Sequence, residues 1–276
     1  MRKEGKENPK KANDFKRERN WVQALHFSDF AATKLKLLKD RRLETVEAIS
    51  DALMCKSDAL NLMFRPKKAM ECLKENYTLW AMNQIRNPGS IRAALGVISS
   101  CLGIEDYDYA ESLARHALFM IDEMTDNFIP TDQQPPFLAK GSRALARAIH
   151  GLARTGGILP EEMQKAGEEA IALARKALEI DIRLYGTENL EVANDMRVLA
   201  DVLDHFNDVD DDEIPRLCEH FIAAYRRECG SSSVNVASGE SMLGTVYKKK
   251  EQGEHMLLSL QHVDRRSMLS ISHPMI

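Results

Sequence analysis

The most metal-like spacing in the sequence is Asp208, Asp210 and Asp212 followed by Glu219, which puts oxygen ligands at the first, third, fifth and twelfth places of a calcium loop. The sixth place, where such a loop needs glycine for its sharp turn, is Glu213, and Pro215 stands at the eighth. The acidic run therefore reads as a solvated turn leading into a helix, since aspartates favour the positive N-terminal end of the helix dipole. The histidines form no HExxH pair, and there is no GxSxG elbow, phosphate-cradling glycine loop or dinucleotide fingerprint. Cys55, Cys72, Cys101, Cys218 and Cys229 include no CxxC pair, and their spacing suggests neither a disulfide framework nor a zinc site. They are expected as buried helical thiols. No catalytic, cofactor or metal residue is assigned, and the chain is not expected to be an enzyme.

Composition is that of an ordinary soluble chain, 44% hydrophobic and 29% charged over 276 residues. Charge is unevenly spread. Residues 1–42 hold 13 of the 38 Lys/Arg and 6 of the 42 Asp/Glu, a net of +7, which leaves 25 against 36, a net of −11, for the rest. No aromatic ladder or nucleic-acid module accompanies the basic end, so nucleic acid is not the expected partner. No apolar run approaches the roughly 20 residues that span a bilayer, and no membrane partner is expected. Residues 1–20 are charged without an apolar stretch, which points to a cytoplasmic location, with the nucleus as the other option.

The elements that organise these residues are repeats. Four segments share a Leu-small pair in an apolar helical pattern: Leu95-Gly96, Leu145-Ala146, Leu199-Ala200 and Leu243-Gly244. In the last three a bulky residue follows three places after the small one, at Ile149, Leu203 and Tyr247. That spacing aligns them on one helical face, where the small residue lets a second helix approach. Leu113-Ala114-Arg115-His116-Ala117-Leu118 and Leu173-Ala174-Arg175-Lys176-Ala177-Leu178 agree at five of six positions and make a smooth ridge for antiparallel packing. His116 takes the place of Lys176 and is expected at the surface. Each unit reads as a helix pair, with turns at Asn87-Pro88-Gly89, Gly103, Gly156-Gly157, Gly186 and Gly230.

Gly186, Asn189, Val192 and Ala193 recur as Gly230, Ser233, Val236 and Ala237, 44 residues on. A glycine supplies the left-handed end of one helix, and Asn189 or Ser233 can cap the next. This pattern resembles the kinesin-light-chain variety of the tetratricopeptide (TPR) repeat, with its longer period of about 42 residues. Ala12 to Leu25 resembles the first turn of an ordinary TPR, and Leu53, Ser57, Leu60 and Ala69 fit the pair that follows. The resemblance covers roughly residues 9–250.

The resemblance implies an all-α fold, a right-handed superhelical solenoid of antiparallel helix pairs. Pairs are expected near 10–38, 43–83, 90–126, 137–185 and 190–229, with a last helix at 234–250. Residues 1–9 read as a flexible basic leader, 10–250 as the TPR-like domain with a loop or hinge at 130–136, and 251–276 as a capping helix or disordered tail. The last repeat is incomplete and would expose apolar surface unless residues 251–265 cover it.

The resemblance also implies a function. The first helices of the pairs line a concave groove that binds a peptide or a partner helix, which makes the chain a protein-interaction scaffold. Asn13, Arg92, Arg143, Asn194, Arg197 and Asp201 are the groove-side candidates. The asparagine-and-basic clamp with which some TPR domains hold a C-terminal carboxylate is not expected, because Cys55 occupies the second asparagine place and Pro9 falls near the first basic one. The other expectation is an accessory portion of a larger enzyme, zinc-finger or motor-associated protein, since helical repeats often accompany such domains.

Overall fold

The computed structural model describes residues 20–36, 42–83, 87–124, 134–206, 213–231, 233–248 and 251; these are helices and their turns, with no strand among them. The chain divides into two compact units between Ala166 and Gly167.

The first unit contains α1 (Trp21–Lys36), α2 (Leu43–Leu62), α3 (Pro66–Met82), α4 (Pro88–Gly103), α5 (Tyr107–Met124) and α6 (Gln134–Thr155). Each helix packs on the next, except that α2 also touches α4, and α4 also touches α6. This is repeat packing: α2, α4 and α6 are the first, or A, helices of successive hairpins, and α3 and α5 are the B helices. Local chemistry sets the starts. The Asn87 side chain accepts from the Gly89 amide at 2.5 Å, and Pro88 takes the first helical position, where its missing N–H is no loss. Gly89 is required by close approach, because a Cβ there would lie 2.3 Å from the Trp80 ring. Trp80 is buried between Val46 of α2 and Ala93 of α4, and its indole donates to Ser50 Oγ at 3.1 Å. One aromatic residue of α3 thus joins two consecutive A helices.

One expectation shifts here. The proline-rich stretch expected as a loop or hinge at 130–136 is partly helical, since α6 starts at Gln134 and Pro135 and Pro136 lie in its first turn. Proline is tolerated there because those amides have no intrahelical acceptor. α1 begins at Trp21, where Asn20 Oδ1 accepts from the Gln23 amide at 3.3 Å, and the expected first TPR turn mostly precedes it. Residues 1–19 lie outside the described residues.

The second unit starts within α7 (Met163–Tyr185), at Gly167, and continues through α8 (Leu190–Phe206), α9 (Glu213–Cys229) and α10 (residues 234–248). The left-handed glycines and caps stand where expected. Gly186 has φ +74° and Gly230 φ +82°. Asn189 Oδ1 accepts from the Glu191 amide at 2.8 Å, and Ser233 Oγ from the Asn235 amide at 3.3 Å. The core joins Val192, Leu199, Ala200 and Leu203 of α8 with Phe221 and Ile222 of α9. Arg175 holds Glu213 in a two-point contact at 2.8 and 2.6 Å, fixing the first turn of α9 to α7. From the last turn of α9, Arg227 binds Glu188 in the α7–α8 turn and Arg226 binds Glu240 of α10. The acidic run Asp208 to Asp212 and the capping segment expected after Glu251 lie outside the described residues.

Candidate interaction surfaces

In the first unit the exposed A-helix chemistry is concentrated on α2 and α4. Glu47, Asp51, Met54 and Asp58 follow one another at i, i+4, i+7 and i+11, so they share one face of α2. Met54 reaches Gly96 of α4, with its sulfur 3.6 Å from where a Cβ would stand. That contact brings the α2 face alongside Arg92. Glu47 accepts from the Asn87 amide nitrogen at 3.2 Å. Asp51 is exposed, yet burial among neighbouring atoms pushes its carboxyl above the ordinary value; Arg92 opposes the shift and Glu47 adds to it. An exposed carboxylate that still suffers desolvation sits in a crowded recess rather than on open surface. Arg143 is half-buried on α6, which carries Lys140, Arg143, Arg147 and Arg154 and no acidic residue.

In the second unit Asn194, Arg197 and Asp201 are half-buried on α8, at i, i+3 and i+7. Asn194 Oδ1 accepts from the Tyr225 hydroxyl of α9 at 2.5 Å, which fixes the orientation of that amide. Arg197 and Asp201 form an ion pair at 3.7 Å. Of the six residues singled out from sequence, Arg92 thus meets an acidic recess, and Asn194, Arg197 and Asp201 share one helix. Asn13 lies outside the described residues. Glu47, Asp51 and Tyr225 were missed. The signal for the first two was the i, i+4 acidic pair ahead of Met54.

The remaining chemical candidates are the cysteines and the histidines. Cys55, Cys72, Cys101 and Cys218 are buried, whereas Cys229 is exposed, contrary to the expectation of a buried thiol. Its position as the last residue of α9 accounts for this. Burial pushes the Cys218 thiol up to about 12, with Asp201, Asp204 and Glu219 adding to the effect, and it raises Cys72 and Cys101 as well. Such thiols hold almost no thiolate at neutral pH. His116 is exposed, as its place opposite Lys176 implied. No cluster of metal-ligating side chains occurs among the described residues, and none of their helices is long and apolar enough to cross a membrane.

Hairpins stacked A on A and B between, with left-handed glycines and capped starts, define an all-α helical-repeat fold of the TPR type. Solved structures carry the likeness. The chain is similar to BtubC (BKLC) from P. vanneervenii, at 16% identity and TM-score 0.57 over 93% of this chain and 94% of that one. It is similar also to a kinesin light chain-like protein of nearly identical TPR-like repeats from P. anserina, at 14% identity and TM-score 0.56 over 80% and 94%. RapI in its apo form matches at 12% identity and TM-score 0.59 over 91% and 85%. At these identities the likeness is one of fold. No protein-family model matches the chain, and no curated protein does.

Proposed function

We propose that the chain is a non-catalytic protein-interaction scaffold whose A helices bind a peptide or a partner helix. The observation that carries this is the recess on α2 and α4. There burial raises the Asp51 carboxyl above its ordinary value, beside Arg92 and the adaptable side chain of Met54. Folding gains nothing from a desolvated carboxylate, whereas a partner's cationic or amide group does. On α8, the fixed Asn194 amide and the Arg197–Asp201 pair offer a second set of oriented donors and acceptors. Repeat scaffolds collect affinity from many such modest contacts. Buried free thiols fit the reducing cytoplasm or nucleus.

The test is capture of partners from cell lysate by the immobilised chain, with identification of what is retained. Substituting Arg143, Arg197 and Asp201 together is expected to weaken capture while the circular dichroism stays helical. Asp51→Lys with Arg92→Glu should do the same from the first unit. Partners held equally well by both sets of variants would sink the A-helix assignment. A second reading, an accessory helical portion of a larger enzyme, zinc-finger or motor-associated assembly, draws support from the likeness to kinesin light chain-like repeats. Co-purification of the chain with a motor or enzyme subunit would favour it.

A further inference from the structure

Gly156, Gly186 and Gly230 hold left-handed turns at φ +77°, +74° and +82°. α2 ends in the same conformation on Phe64, at φ +57°. The turn is fully formed, since the Arg65 amide donates to the Leu60 carbonyl at 2.8 Å and the Phe64 amide to that of Asn61 at 3.0 Å. A bulky side chain enters this region only with strain, because its Cβ crowds the backbone carbonyl. Phe64 is also 92% exposed, and Leu62 beside it is 50% exposed. Glu105 closes the next A-to-B turn at φ +63°, so the strain is shared; at Phe64 it coincides with a solvated aromatic that glycine would remove, which marks the position for function rather than stability.

The surroundings indicate which function. Arg65, Lys67 and Lys68 are all exposed and follow the two apolar residues directly in sequence, and the next acid along α3 is Glu71. We propose that the α2–α3 turn docks on an anionic lipid surface, with Phe64 and Leu62 entering the interfacial region and the three cations meeting the headgroups. The next A-to-B turn carries Glu105 and Asp106, which an anionic surface repels, so contact is confined to the Phe64 tip. A protein pocket would have to match one convex aromatic and supply an acidic rim. A bilayer accepts any convex apolar tip, and its negative surface adds about fivefold in partitioning per Lys or Arg. That no helix among the described residues can span a bilayer bears on crossing it and not on contact with its surface.

The experiment is co-sedimentation of the full chain with phosphatidylcholine vesicles and with phosphatidylserine-rich ones. The wild-type chain is expected to prefer the serine-rich vesicles and to lose that preference as salt rises. Lys67→Gln with Lys68→Gln should lower partitioning about 30-fold. Phe64→Gly should lower it about tenfold while raising the thermal midpoint by about 2–4 °C, which separates binding from folding. Wild-type chain that sediments with neither vesicle, or Phe64→Gly that binds as well as wild type, overturns the lipid assignment. The first of these outcomes would leave a protein pocket as the occupant of the tip.

Discussion

The second unit writes one helical face twice, and the two copies meet opposite fates. In α8, Leu199, Ala200 and Leu203 are fully buried. Forty-four residues on, α10 repeats the face as Leu243, Gly244 and Tyr247, where Gly244 is exposed and Tyr247 is 48% exposed. Elsewhere on α10 Val236 and Val246 are buried, and Gly239 stands against Phe221 and Ile222 of α9. So α8 is covered on both sides and α10 on one, among the described residues. A repeat face is an offer of surface, and whether it becomes core depends on the next helix in the stack.

The largest test of this comparison is paired truncation. Leu203→Ala removes a wholly buried side chain and should cost about 3 kcal/mol, lowering the thermal midpoint by roughly 6–12 °C. Tyr247→Ala, at the matching place in α10, should change stability by no more than about 0.5 kcal/mol. Equal losses in the two variants would mean that α10 is covered after all, with residues 252–276 as the first candidate for the cover. Deleting those residues would then abolish the Tyr247 effect.

Two glycines of α10 sharpen the contrast within a single helix. A Cβ at Gly239 would stand 2.5 Å from the Phe221 ring and 2.6 Å from Ile222, so Gly239→Ala should destabilise by about 1–3 kcal/mol through overpacking. A Cβ at Gly244 meets nothing within 4 Å. Gly244→Ala should therefore stabilise by about 1 kcal/mol, the ordinary helix preference of alanine over glycine. Thermal melts of the two variants read opposite signs if the two faces differ as described. A loss at both positions would place a neighbour over Gly244.

Much of the fold was legible because repeats write their punctuation locally. Gly186, Asn189, Gly230 and Ser233 act on their own backbones, so their spacing alone announced the turns and caps. Features that depend on a neighbour were not legible. Pro135 and Pro136 read as a break because proline ends a helix as readily as it begins one, and only the position of Gln134 decides between the two. Cys229 read as buried because its burial depends on where α9 stops. Arg92 was picked out as a lone polar residue, while the acids that give it meaning sit on another helix, over 40 positions earlier for both Glu47 and Asp51. Phe64 raised no flag, since its left-handed backbone is visible only in the fold.

The smallest expected effect tests whether exposure and openness are distinct. Tyr247 and Asp51 are both exposed, but Asp51 lies in a recess whose atoms displace water from its carboxylate. Burial raises its folded pKa above 3.8, with Arg92 pulling it back and Glu47 pushing it further. The folded state then holds the proton more tightly than the unfolded state, so this group destabilises the fold once it is ionised. The penalty is full above the folded pKa, shrinks as pH falls from there to 3.8, and is gone below. Asp51→Asn should accordingly raise the thermal midpoint slightly at pH 7, and the gain should fade as the pH is lowered toward 4. A constant gain at both pH values would trace to the amide's contacts and not to charge, and a loss at pH 7 would mean that the recess favours the anion. If the gain is pH-dependent and capture of partners weakens in the same variant, Asp51 is a carboxylate kept at a cost to the fold for the sake of what it binds.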